Sequence, residues 1–467
     1  MAQQSDIQVD KHYDIIIIGA GSGNMIPNHR FDNKSIAIVE KGRFGGTCLN
    51  VGCIPTKMFV YAADVADTVR SSGKYGVDST LDSVDWPGIV SRVFDKRIDP
   101  IAKGGEAYRR GPETPNIDVY DQHARFVGER TISTGDGDQK KIISADQIII
   151  AAGARPHILP VIEQSGVPYY TNENVLRLPQ LPQTMIILGG GFIAVEFAHI
   201  FSALGVDVTV VNRSPRLLKH LDEQVSDRFT ELASERWNTR LGYEVAAAEE
   251  NSNGSVTITL DNGEKLTADV LVSATGRTPN GDLMDLDKGG VEMDGQRIKV
   301  DEYGRTTASG VWAFGDVSSP FQLKHVANAE ARVIEHNVLN PDDLRAFPHK
   351  HVPAAIFTNP QIGYVGMTEQ QARDAGHTVT VKVQDYGDVA YGWAMENTTG
   401  FAKLIADKDT GKLLGAFIIG PQASTLIQQL VTMMAFDIDV RAMAADQYWI
   451  HPALPELIEN ALLGLEF

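Results

Sequence analysis

A chain of 467 residues exceeds what a single hydrophobic core supports and predicts about two to four domains. Asp plus Glu number 60 against 42 Lys plus Arg, and the net charge of −18 excludes nucleic acid or an anionic membrane as the main partner. Only two cysteines in so long a chain exclude a secreted disulfide scaffold and point to the cytoplasm.

In chain order, the polar start MAQQSDIQVDK has neither the basic nor the apolar part of a secretory signal and is expected to be a disordered tail. Nowhere does an apolar run approach the roughly 20 residues of a membrane span. Residues 13–18, YDIIII, predict a buried parallel strand ending at Gly19. GAGSGN follows, and the next strand, SIAIVE, ends in Glu40, 21 residues after Gly19. A strand, a glycine turn and an acid at that distance describe a dinucleotide fold. The same grammar returns at 185–196, where Gly189, Gly191 and Ala194 form a G-x-G-x-x-A turn before a helix running to about Leu204. The strand DVTVVN then leads into RSPRLLK. Beyond 275 come TGRTPN and VWAFGDV, the latter a strand ending in Gly315 and Asp316. From about 348 the pattern changes to longer strands, with helices expected around 423–436 and 453–464. The fold class is therefore α/β: two Rossmann-like dinucleotide-binding domains plus a C-terminal α+β domain.

Glycines at these spacings let backbone approach a pyrophosphate. Glu40 suits a ribose diol and repels a 2′-phosphate, as the adenosine of FAD or NAD requires. After the second turn the strand ends without an acid, and Arg213, Arg216 and Lys219 stand close by. Guanidinium and ammonium groups there favour the 2′-phosphate of NADPH. For Arg216 a solvated surface turn is an equal alternative.

Cys48 and Cys53 lie five apart in GGTCLNVGCIPTK. A structural disulfide closing so small a loop would stabilise little, and a metal site lacks further ligands nearby. A redox pair fits best. On a regular helix such residues have Cα atoms about 8–9 Å apart, beyond disulfide reach, so the helix start is distorted or the bond is strained. Gly45, Gly46 and Gly52 supply the backbone freedom. A helix N-terminus nearby would lower a thiol pKa.

Together GGTCLNVGCIPTK, GGGFIAVE, ATGRTPN, FGDV and HPALPE, in this order, resemble the pyridine nucleotide-disulfide oxidoreductases of the glutathione reductase and dihydrolipoamide dehydrogenase type. The resemblance spans about residues 13–466. It implies a homodimer with FAD on the first fold and NADPH on the second. The implied divisions are 12–152 and 275–347 for FAD, 153–274 for NADPH, and 348–467 for the dimer interface. By position, Cys53 faces the flavin and Cys48 attacks a small-molecule disulfide substrate, while His451 and Glu456 form an acid–base dyad reaching across the dimer. The chemistry asks for that dyad, because a departing thiolate needs a proton from a group near neutral pKa. Lys57 and Glu196 match an ion pair beside flavin and nicotinamide. The implied FAD contacts are Gly19, Gly21, Ser22, Gly23, Glu40, Gly46, Thr47, Lys57, Gly153 and Asp316. Those for NADPH are Gly189, Gly191, Phe192, Ile193, Arg213, Lys219 and Gly276, with Phe192 in the place of a gating aromatic. A helix starting near His325 would aim its positive end at the flavin.

The sequence departs from the pattern at Asn24, where Gly or Ala is usual, and Pro27 follows closely. The first crossover is therefore expected to be short or irregular. Lys324-His325 stands where relatives often carry Thr-Pro, and either tunes the flavin or only packs. Tyr448, Trp449 and Trp393 are candidates for stacking on a substrate, with packing as the ordinary alternative. The rival readings are a dihydrolipoamide dehydrogenase and, in another class, a quinone reductase or assembly subunit with idle cysteines.

Overall fold

The computed structural model describes residues 7–467, so the first six residues of the expected disordered tail lie outside the described residues. Strand β1 (Lys11–Ile18) begins two residues before the apolar run and lies between two parallel neighbours, β2 (Ile36–Val39) and the strand Lys141–Ile150. Its side chains alternate between two cores: Ile15 and Ile17 on one face, Ile16 and Ile18 on the other. Burial on both faces is why the run is apolar throughout. The short strand Val311–Ala313 also pairs in parallel with the end of Lys141–Ile150. That register brings Asp316, from a distant part of the sequence, to the same end of the sheet as the first glycine turn.

No α-helix connects β1 to β2. Gly23–Met25 and His29–Phe31 are single 3-10 turns. Pro27 has no N–H to continue a helix, and the buried Arg109 donates instead to Asn24 Oδ1 at 2.7 Å and to the carbonyls of Asn24 and Pro27, each at 2.9 Å. The crossover is irregular, as Asn24 and Pro27 suggest.

The second parallel sheet has the order Asn238–Leu241, Asp207–Asn212, Thr184–Leu188, Val270–Ser273. Here a full helix, Phe192–Ala203, follows the glycine turn. Two connections join the parallel units, and they pair as a ribbon, Ala154–Pro156 against Arg277–Pro279. The helices between Trp86 and Arg110, interrupted by a π-helical turn at Phe94–Ile98, have no counterpart in the sequence-based expectations.

The last unit is a five-stranded antiparallel sheet ordered Ala354–Ile356, Ile362–Gly366, Leu413–Ile419, Phe401–Asp407, Val379–Asp385. The helices Ala423–Ala435 and Pro455–Leu463 cover one face. The opposite face is not solvated: Phe401, Ile405 and Phe417 join the core of Phe201 and Phe229 from the second nucleotide unit. Lys403 lies in that seam, almost fully buried, 2.9 Å from Asp222 and 2.8 Å from Glu369. Removing one partner of such a cluster strands buried charge, at a cost of about 3–5 kcal/mol. Lys403→Met should therefore lower the urea midpoint clearly, whereas Lys412→Met, at an exposed ion pair, should leave it almost unmoved.

Candidate active site

The cysteine segment forms two helices, α1 (Gly46–Asn50) and α2 (Cys53–Ser71), broken at Val51 and Gly52. The break resolves the spacing problem through a distorted helix. A side chain at Gly52 would bring its Cβ within 2.9 Å of the Thr47 carbonyl oxygen, so the kink requires glycine. Both cysteines are free thiols, Cys48 half-buried and Cys53 exposed. The adjacent Cys53 thiol, with the charge of Lys324 behind it, draws the Cys48 pKa down to about 7. The adjacent Cys48 sulfur, together with burial, pushes Cys53 far up. At neutral pH one sulfur is a nucleophile and the other keeps the proton.

Bare backbone lines the end of β1. A Cβ on Gly19 would come within 2.3 Å of the Ala151 carbonyl oxygen, and one on Gly46 within 2.6 Å of Gly21 Cα. Gly23 packs on Ile17, and Thr47 lies in α1 beside this cradle. Glu40 accepts from the N–H groups of Ala20 and Gly42 at 2.7 and 2.8 Å, and each carboxylate oxygen retains a free acceptor site. Asp316, its pKa raised by burial, has Arg277 as nearest cation at 3.8 Å. Bare amides beside two fixed carboxylates fit the pyrophosphate and hydroxyls of FAD. Gly153 and Gly276, at positive φ, precede the two strands of the connecting ribbon.

In the second turn, Gly189 would clash with the Ala274 carbonyl oxygen at 2.3 Å if it bore a Cβ. Gly191 precedes the helix Phe192–Ala203 and no side chain caps it, so the first-turn amides, Ile193's among them, are available to a phosphate. Where an acid would stand is Asn212, donating to the Ser214 and Arg216 carbonyls at 3.0 and 3.1 Å. Arg213 and Lys219 are exposed and have no carboxylate partner among the described residues. Arg216 is ion-paired to Glu223 at 2.7 Å and Asp227 at 2.6 Å, which favours its surface reading.

The expected Lys57–Glu196 ion pair is not formed. Lys57 Nζ lies over the Phe357 ring, 3.7 Å from its centroid, and Glu196 Oε1 accepts the Phe357 N–H at 2.9 Å. Phe357 thus holds both groups without a direct contact between them. Burial lowers the Lys57 pKa and raises that of Glu196 to about 8. Sequence patterns missed Phe357, which lies in a loop after a three-residue strand and carries no motif. Phe192 opens the neighbouring helix with 40% of its surface exposed.

His451 stands apart from the cysteines. Its Nδ1 is 2.7 Å from Glu456 Oε1, and Glu456 also accepts the Ala453 N–H at 3.2 Å. The hydrogen bond to His451 holds the Glu456 pKa low. His451's side chain is 70% exposed, and no hydrogen bond joins it to Cys48 or Cys53 among the described residues. Nearby, Tyr448 is wholly exposed, while Trp449 packs on the core between the antiparallel sheet and its covering helices and donates to the Ala444 carbonyl. Trp393 is exposed with its indole N–H on the Gly387 carbonyl.

The unequal thiols make a direct prediction. In reduced protein, iodoacetamide should label Cys48 first, and the rate should fall below a midpoint near pH 7 as the thiolate is protonated. Peptide mass mapping of briefly labelled protein reads both. Preferential labelling of Cys53 would reverse the assignment.

Two profiles described as Pyridine nucleotide-disulphide oxidoreductase match the chain: one over residues 13–331, and its dimerisation domain over residues 352–462. The chain is 54% identical to a mycothione reductase from Mycobacterium tuberculosis, covering 97% of this chain and 99% of that one. A dihydrolipoyl dehydrogenase from Corynebacterium glutamicum is 32% identical over 97% of this chain and 98% of its own. Among solved structures, the HOCl-induced flavoprotein disulfide reductase RclA from Escherichia coli superposes with a TM-score of 0.85 at 25% identity, covering 97% of this chain and 100% of that one. The chain therefore belongs to the pyridine nucleotide-disulphide oxidoreductases, and is a disulfide reductase that uses FAD and NADPH.

Proposed function

We propose that this enzyme reduces mycothione to mycothiol in the cytoplasm, as a homodimer with its site shared between subunits. The observation that carries the mechanism is the unequal Cys48–Cys53 pair. The substrate reading rests on the 54% identity to a mycothione reductase along almost the whole chain. In this reading 12–152 and 275–347 hold FAD, 153–274 holds NADPH, and 348–467 forms the dimer contact.

When bound, FAD would supply the two-electron path from NADPH to the Cys48–Cys53 disulfide, and the reduced pair is the Cys48 thiolate beside the Cys53 thiol. Gly19, Gly21, Ser22, Gly23, Gly46, Thr47 and Gly153 would bring backbone against the cofactor, and Glu40 and Asp316 would accept its hydroxyls. Gly189, Gly191, Ile193 and Gly276 would hold the nicotinamide nucleotide, with Arg213 and Lys219 as the cations for its 2′-phosphate and Phe192 as the aromatic beside it. Lys57 and Glu196 flank the redox centre, their separation fixed by Phe357.

Cys48 thiolate attacks one sulfur of the substrate, so a Cys48–substrate disulfide forms as the substrate S–S bond breaks. The first thiol departs with a proton from His451 of the partner subunit, whose ring Glu456 orients. Cys53 then attacks the Cys48 sulfur, releasing the second thiol and restoring the Cys48–Cys53 bond. Two electrons and one proton from NADPH, with one proton from water, balance two thiols released. Tyr448 and Trp393, both exposed, offer faces to a sugar-bearing substrate.

NADPH consumption with mycothione, oxidised glutathione and lipoamide side by side tests the assignment. Mycothione should be preferred by at least tenfold in kcat/KM, and Cys48→Ser should abolish turnover while flavin stays bound. Preference for oxidised glutathione or lipoamide would retire the substrate, and disulfide turnover by Cys48→Ser would retire the mechanism.

A further inference from the structure

The two glycine turns meet the same electrostatic problem with different means. In the second, a 12-residue helix starts at Phe192 and points its positive end at the turn. The first turn leads into two three-residue 3-10 turns, Gly23–Met25 and His29–Phe31, each too short to sum peptide dipoles, and the chain reaches β2 without an α-helix. A pyrophosphate here therefore lacks the half-charge that a crossover helix supplies.

A side chain from elsewhere stands at that place. Lys324, first residue of the helix Lys324–Leu339, sends its ammonium across to the first glycine turn, where Nζ donates to Ser22 Oγ at 2.8 Å and lies 4.0 Å from Met25 Sδ. It is half-buried, and Cys48, Cys53 and Asp316 are the titratable groups that act on it. Arg109 holds the turn in shape from behind, satisfying the Asn24 and Pro27 carbonyls. All three donors of an ammonium suit phosphate oxygens, and the hydroxyl of Ser22 leaves two of them unused.

We propose that Lys324 is a cofactor-binding residue, its ammonium supplying the positive charge on the FAD pyrophosphate that the missing crossover helix would otherwise provide. This rests on the reading of Gly19–Gly23 as the FAD turn.

The test is cofactor affinity, read by flavin fluorescence on apoprotein stripped of FAD, with ADP as a competitor that carries the diphosphate but no flavin. Lys324→Met should weaken FAD and ADP alike, by at least tenfold, and flatten the salt dependence of both. Lys324→Arg, which keeps the charge, should stay within about threefold of the parent and also shows that the position tolerates change. An unchanged FAD affinity in Lys324→Met, or a loss for FAD with none for ADP, would overturn the inference. The second outcome would place the ammonium on the flavin ring or the thiols instead. If the parent protein itself does not take up FAD, the reading of the turn fails rather than the role of Lys324.

Discussion

The site depends on one broken helical turn. Were Gly46–Ser71 a continuous helix, Cys48 and Cys53 would stand about 8–9 Å apart and could neither bond nor share a proton. The break at Val51–Gly52 brings them together, and the contact of Gly52 with the Thr47 carbonyl leaves room for no other residue there. Proximity then divides the chemistry. The interaction that lowers Cys48 also raises Cys53, so two identical side chains become a nucleophile and a thiol that keeps its proton.

Around that turn the fold works by convergence of distant segments. The parallel pairing of Val311–Ala313 with Lys141–Ile150 carries Asp316 to the first glycine turn, and the helix that follows carries Lys324 there. The antiparallel sheet buries its second face against the nucleotide unit, with Lys403 clamped in the seam, so Phe357 reaches both Lys57 and Glu196. The His451–Glu456 pair, in contrast, is assembled locally and left exposed. That is the arrangement expected of a group that serves a neighbouring subunit.

Much of the fold was legible because its parallel strands are buried on both faces and read as apolar runs closed by glycine. YDIIII, TMIIL and DVTVVN lie almost where their patterns put them. The irregular first crossover was also legible, since Asn24 and Pro27 violate the motif in a way that has one physical meaning. The segment from Trp86 to Arg110 was not, because a π-helical turn interrupts its periodicity and shifts the apolar face. At the site, residues within motifs could be named from the sequence, but their contacts could not. Lys57 and Glu196 suggested an ion pair, yet Phe357, outside every motif, intervenes. Arg277 and Lys324 sit in recognisable stretches, but only the tertiary fold reveals which groups they face.

The division of labour between the sulfurs is the central claim, and trapping the covalent intermediate tests it most directly. In Cys53→Ser the resolving thiol is gone, so reaction of the free Cys48 with mycothione should stop at a mixed disulfide. Mass spectrometry should then find one mycothiol per chain, attached at Cys48, with one equivalent of free mycothiol released. An unmodified Cys48, with Cys48→Ser instead carrying the adduct on Cys53, would contradict the account.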